Sequence, residues 1–302
     1  MINLKSNTLS VGVLPEIGGC IETFELTLPG QPAVAILSAP SLPLTHAGDA
    51  KQSAHFLMLP YVNRLRGNEI RCEDSVFNML PNTSEPLALH GVGWQLSWQV
   101  LETGADFCEL GCSAPVGYPI QFHARQKIGL SDDTLLIDVS ITNTSDFNIP
   151  VGAGFHPYFP RDDQTKLQFA ADYFWLEGPG HMPTDCIRVP PELSFDAMRP
   201  LPDKWRANCY TGWNGRALIE QPSLGYDVVM TASPNLPDLM FYTPLDVGFF
   251  ALEPQSHTAG HVDTSKDGSP ATPMVELEPG VTFAVWMKLQ VTPRTTSRGK
   301  ND

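Results

Sequence analysis

Proline and glycine punctuate this chain so evenly that long helices have nowhere to form. Its 302 residues hold 28 prolines and 24 glycines spread over the whole length. Interior proline removes a helical hydrogen bond and clashes with the preceding turn, and interior glycine weakens a helix through backbone entropy. Few windows long enough for more than three helical turns survive, so helix is expected to be the minority. Short β-type runs recur instead: Ala33–Leu37, Gln95–Leu101, Phe107–Cys112, Gln121–Ile128, Leu135–Thr142, Lys166–Phe169, Ala217–Glu220, Tyr226–Thr231, Leu239–Tyr242, Val247–Leu252 and Thr282–Val291. Within Thr134–Thr142, Leu135, Ile137, Val139 and Ile141 would face one way and Leu136, Asp138, Ser140 and Thr142 the other. Regular spacing of short strands and turns predicts an all-β chain built as a sandwich or barrel.

No composition break, short internal repeat or low-complexity stretch divides the chain, and large all-β folds commonly use this length as one unit. The expectation is one domain over residues 1–292, with a frayed tail at 293–302 and a long surface excursion at Gly178–Pro202. The net charge of −14, from 33 acidic and 19 basic side chains, would repel a phosphate backbone, which argues against nucleic acid as a partner. No run of about 18 apolar residues is present, so no membrane-spanning helix is expected. The six cysteines (Cys20, Cys72, Cys108, Cys112, Cys186 and Cys209) lack a disulfide-scaffold spacing, and no basic-then-apolar leader opens the sequence. A reducing cytoplasm is the expected location.

Four segments carry chemistry. Leu59–Gly67 places Asn63, Arg64 and Arg66 beside aromatic and aliphatic neighbours. A guanidinium fork there could donate to vicinal hydroxyls or a carboxylate, or it could satisfy loop carbonyls. In Leu89–Trp94, His90 stands with Gly91, Gly93 and Trp94, where glycines would let the backbone approach a ligand and the indole could carry a pyranose, unless the segment is only a turn over a core Trp. In Gly154–Pro160, Pro157 confines His156 to extended backbone, so the ring should project in a fixed direction from a strand end. In Phe249–Gln255 an apolar strand runs into Glu253, and partial burial would raise its pKa toward that of a useful base. Core histidine and strand-end ion pair are the plainer readings of the last two.

Other chemistries find less support. Cys108 and Cys112 belong to an apolar β run, and His257 with His261 lacks the helix and glutamate of a metalloprotease motif, so no metal site is expected. No phosphate loop, dinucleotide fingerprint or nucleophile elbow is present.

Taken in order, Asn63-Arg64, Leu89-His90-Gly91, His156-Pro157-Tyr158-Phe159 and Leu252-Glu253-Pro254-Gln255 resemble the motif series of the aldose 1-epimerases, the galactose mutarotase-like family. The match runs from Gly18-Gly19 to the Glu278-Pro279-Gly280 turn. The resemblance implies a large antiparallel β-supersandwich with the sugar in an open cleft, Glu253 as catalytic base and His156 as catalytic acid. Asn63, Arg64, His90, Tyr158, Gln255 and Trp213 would hold a small-molecule sugar, with no metal or organic cofactor, in a monomer or homodimer. Glu253 would take the anomeric proton while His156 protonates the ring oxygen, and the same groups would close the opposite anomer of a hexose. One position departs from the family. Where an Asp-x-x-Phe segment commonly holds sugar hydroxyls, Ala207 occupies the acidic position, with Asn208 adjacent and Asp203 a few residues back. A sugar-binding or regulatory protein without turnover is therefore the alternative. A glycosidase or lyase is a third possibility, but a glycosidase would need two well-framed carboxylates, and only Glu253 is one.

Overall fold

The computed structural model describes residues 1–40, 48–72, 75–245, 247–260 and 270–294. Among them, two large sheets dominate, and paired strands within each run antiparallel. The first is ordered Ile2–Lys5, Leu9–Leu14, Cys20–Leu26, His55–Met58, Gly154–Pro160, Phe249–Gln255, Asp238–Thr243, Arg206–Thr211, Tyr173–Glu177 and Pro183–Arg188, with Val34–Leu37 also paired to Cys20–Leu26. The second is ordered Phe195–Pro200, Lys166–Phe169, Arg216–Gln221, Tyr226–Ala232, Thr282–Pro293, Thr134–Asn143, Phe122–Leu130, Phe107–Ser113 and Gln99–Thr103. The described helical segments are three-residue 3₁₀ turns. No described helix is long and apolar enough to cross a membrane. The result is the expected antiparallel supersandwich.

Strand alternation explains both the core and the site. Leu135, Ile137, Val139 and Ile141 of the second sheet are buried in the same core as Phe155, Phe159, Leu239, Phe241, Phe250 and Leu252 of the first. Burying an aromatic or aliphatic side chain of this size contributes about 1.5–3 kcal/mol. The residues between them on the same strands must point to the opposite face. On that outer face lie Phe56, His156, Tyr158, Phe249, Glu253, Met240, Tyr242 and Ala207, and loops cover part of it, so both faces of these central strands are buried.

Three expectations need correcting. Gln95–Leu101 does not form one strand: Gly93–Gln95 is a 3₁₀ turn, and the strand begins only at Gln99. Gly178–Pro202 is not merely a surface excursion, because Pro183–Arg188 and Phe195–Pro200 are edge strands of the two sheets, anchored at buried Pro183 and Phe195. Their remaining side chains are mostly exposed, so they lack the apolar pattern of interior strands. The last strand runs to Pro293, and Arg294 donates from Nε to Asp227 Oδ1 (2.8 Å) and pairs with Glu220, so the expected tail is anchored at its start. Residues 295–302 lie outside the described set.

Candidate active site

His156 and Glu253 come from adjacent central strands whose register brings them together. Gly154 faces Gln255 and Tyr158 faces Ala251, which carries His156 opposite Glu253 on the outer face. Pro157 and Pro254 remove two ladder donors beside the pair. His156 Nε2 lies 3.3 Å from Glu253 Oε1, with both side chains almost fully buried. The imidazole stacks on Phe56 at 4.4 Å between ring centroids and lies 4.6 Å from the Tyr158 ring. Its direction is therefore set by packing rather than by a loop.

Burial governs the charges. It pushes the Glu253 carboxyl up to about 8, opposed by the hydrogen bond from Gln255 and the Arg64 charge. It pushes His156 down to about 3, with His55 adding in the same direction. Each group is disfavoured in its charged form, so the pair holds one proton over a wide pH range. This has a stability consequence. With its folded pKa raised above the ordinary 4.5, Glu253 binds a proton in the native state that the unfolded chain has lost, so stability falls as pH rises from about 4.5 to about 8. Glu253→Gln removes that ionisation, and its melting temperature is expected to exceed the wild type's by roughly 2–5 °C near pH 8, with the gain shrinking toward pH 4.5. Calorimetric scans showing a pH-independent difference would contradict this assignment of the proton.

Two loops close over the sheet. In the first, the Val62 amide donates to His257 Nε2 (3.0 Å) and the Asn63 amide to His90 Nδ1 (3.1 Å). The second bond makes Nδ1 an acceptor, so neutral His90 carries its proton on Nε2. Burial, with the charges of His156, Arg64 and Lys51, pushes the His90 pKa well down and keeps it neutral. The Arg64 amide donates to Asn63 Oδ1 (2.8 Å), and its guanidinium grips Glu85 at two points, Nε–Oε2 2.7 Å and Nη2–Oε1 2.9 Å. The second loop is braced by Asn82, which donates to Leu89 and Gly91 carbonyls and accepts from the Leu89 amide. Together sheet and loops enclose an open cleft of about 420 Å³, lined by Asn63, Arg64, His90, His156, Tyr158 and Glu253 among others.

Two residues expected at the sugar do not line this cleft. Gln255 is fully buried and donates from Nε2 to Glu253 Oε2 (3.3 Å), so it holds the carboxylate from behind. Trp213 lies in the sandwich core with Nε1 donating to the Arg216 carbonyl (3.1 Å). The strand carrying Ala207 ends at Thr211, and Gly212 at a φ of 74° turns the chain, so the outward alternation does not reach Trp213. Trp94 is no open platform either. Its ring is buried, its Nε1 donates to the Gly91 carbonyl (3.1 Å), and Lys51 Nζ sits 3.9 Å above it. Gly91 permits close approach of protein backbone at Leu59 rather than of a ligand. Ala207 does line the cleft, whereas Asn208 donates to the Trp175 carbonyl (3.0 Å) and fully exposed Asp203 lies 3.5 Å from Arg161. His257 holds the Val62 amide, and His261 lies outside the described residues.

Sequence reading missed Lys51, Glu85, Trp205 and Tyr242, which also line the cleft. Tyr242 could have been found, since it alternates with core-facing Phe241 on an expected strand. Lys51, Glu85 and Trp205 sit on segments with no periodic signal.

The aldose 1-epimerase family model matches residues 1–290. The uncharacterized protein YphB of Escherichia coli K12 is 33% identical over 254 residues, covering 81% of this chain and 86% of that protein. A crystal structure from the same organism, named as a candidate aldose 1-epimerase, superposes with a TM-score of 0.87 at 29% identity, covering 96% of this chain and 98% of that one. A galactose mutarotase-like protein from Clostridium acetobutylicum shares the fold, with a TM-score of 0.81 at 18% identity over 96% and 94% of the two chains. With a sandwich of this topology, the motif series in order and a family match over nearly its whole length, the chain belongs to the aldose 1-epimerase family of carbohydrate isomerases.

Proposed function

We propose that this protein is a mutarotase that interconverts the α and β anomers of a hexose, with Glu253 as base and His156 as acid. The observation that carries the reading is the 3.3 Å approach of His156 Nε2 to Glu253 Oε1 at the floor of an open cleft. One proton shared by a carboxylate and an imidazole is the inventory that ring opening requires. Without sugar, burial favours the neutral arrangement with the proton on Glu253. A proton moving across the short contact to His156 leaves a carboxylate for the anomeric hydroxyl and an imidazolium for the ring oxygen. Deprotonating the first while protonating the second breaks the bond between C1 and the ring oxygen without a free alkoxide or oxonium. Rotation about C1–C2 presents the other aldehyde face, and the reverse transfers close it. These two transfers account for the reaction with no cofactor chemistry.

Arg64 and neutral His90 supply N–H donors for ring hydroxyls, while Tyr158 and Phe56 offer apolar ring faces. Exchange NMR of equilibrated aldoses with micromolar purified protein should show anomer interconversion above the spontaneous rate for at least one hexose. Saturable sugar binding without any acceleration would instead favour the sugar-binding alternative.

A further inference from the structure

We infer that Glu85 is a specificity-determining residue whose carboxylate accepts a ring hydroxyl of the bound aldose beside the Arg64 guanidinium. This rests on the mutarotase reading of the same cleft. Among the described residues lining the cleft, Glu85 and Glu253 are the two carboxylates. Glu253 lies on the floor with His156. Glu85 stands at the rim, with its side chain 43% exposed against 16% for Arg64. Along Ala207, Met240 and Phe249 the lining is apolar and offers a hydroxyl no acceptor stronger than a thioether, and the other polar side chains of the lining are uncharged groups or cations.

The local structure presents Glu85 rather than merely leaving it there. Asn82 crosses its loop as described, the Glu85 amide donates to Thr83 Oγ1 (3.1 Å), and Asn68 holds the next residues through the Pro86 carbonyl (3.0 Å) and the Ala88 amide (2.7 Å). Such bracing pre-organises an acceptor. Each Glu85 oxygen takes one hydrogen bond from Arg64 and keeps capacity for another. The guanidinium, with five N–H groups, has donors beyond the two so engaged. A carboxylate acceptor and a guanidinium donor side by side match two vicinal hydroxyls, one donating and one accepting. As a half-exposed ion pair alone, the contact would contribute little to stability. Arg64, His181 and Lys51 also hold the Glu85 carboxyl below its ordinary range, so the acceptor is ionised at neutral pH.

The test compares wild type, Glu85→Ala and Glu85→Gln by exchange NMR on glucose, galactose and the set of monodeoxy hexoses, with thermal melts to check folding. Losing a hydrogen bond to a charged acceptor is expected to lower kcat/KM at least about tenfold for a hexose that uses it, mostly through KM. With the one monodeoxy hexose lacking the recognised hydroxyl, wild type and both variants should agree to within about twofold. A loss equal across every sugar means that Glu85 only steadies Arg64 and overturns the proposal, as does no loss at all. Wild type failing to accelerate any sugar overturns the mutarotase reading, and this inference falls with it.

Discussion

Glu253→Gln and His156→Ala should each lower kcat for anomer exchange by about 10²–10⁴-fold, the range typical of a positioned proton transfer. Both keep the fold on physical grounds. Glutamine matches glutamate in shape and can still meet Gln255, and alanine at 156 leaves Phe155 and Phe159 buried on the inner face. The losses should be strongly non-additive, because one group without the other cannot both remove and deliver a proton. Wild-type kcat/KM should follow a bell whose alkaline limb falls near pH 8 as the buried carboxyl loses the shared proton. The acidic limb should lie well below the ordinary histidine range, since burial holds His156 neutral. Glu253→Gln should abolish the alkaline limb. Polarimetric rates within twofold of wild type in either variant would dismiss the pair as the catalytic groups.

Gly91→Ala is expected to destabilise the protein by more than about 3 kcal/mol, or to prevent folding, because two costs coincide. Gly91 has a φ of 65°, a region costly for a residue with a Cβ. The new carbon would also fall inside the contact envelope of the Leu59 carbonyl and only 2.6 Å from the Pro60 nitrogen. That carbonyl already accepts from the Val92 (2.7 Å) and Gly93 (3.0 Å) amides, so it cannot move aside without breaking the tie between the cleft's two loops. Gly67→Ala is the control. Its φ is also 65°, but nothing lies within 4 Å of the added carbon, so the cost should stay near 1 kcal/mol. Equal denaturation midpoints for the two variants would show that the Leu59 contact is looser than the geometry indicates.

Legibility in the sequence followed how one-sided each strand's surroundings are. Thr134–Asn143 was readable because only one face enters the core, and its buried residues keep strict alternation. Gly154–Pro160 has no such pattern, since core covers one face and the cleft loops the other. Its histidine was conspicuous through the flanking proline instead. Ile2–Lys5, Leu9–Leu14 and Cys20–Leu26 offer weaker cues: the first has only four residues, the second carries Gly12, and the third breaks its alternation by burying Glu22. Motifs pointed to His156, Glu253, Arg64 and His90, whose backbones are constrained by proline, strand or loop. Glu85 gave no local cue: a glutamate in a polar loop acquires meaning only through Arg64, 21 residues away in sequence.

The shared strand of His156 and Phe155 leaves this family member little freedom where it counts. A one-residue slip of Gly154–Pro160 against Phe249–Gln255 would thrust imidazole into the hydrophobic interior and aromatic rings into the cleft. A single inserted or deleted residue there would exchange the two faces unless a bulge absorbed it. The loops over the cleft carry no such strand register; their fixed point is the contact of Gly91 with Leu59, and positions away from it can change without turning a strand over.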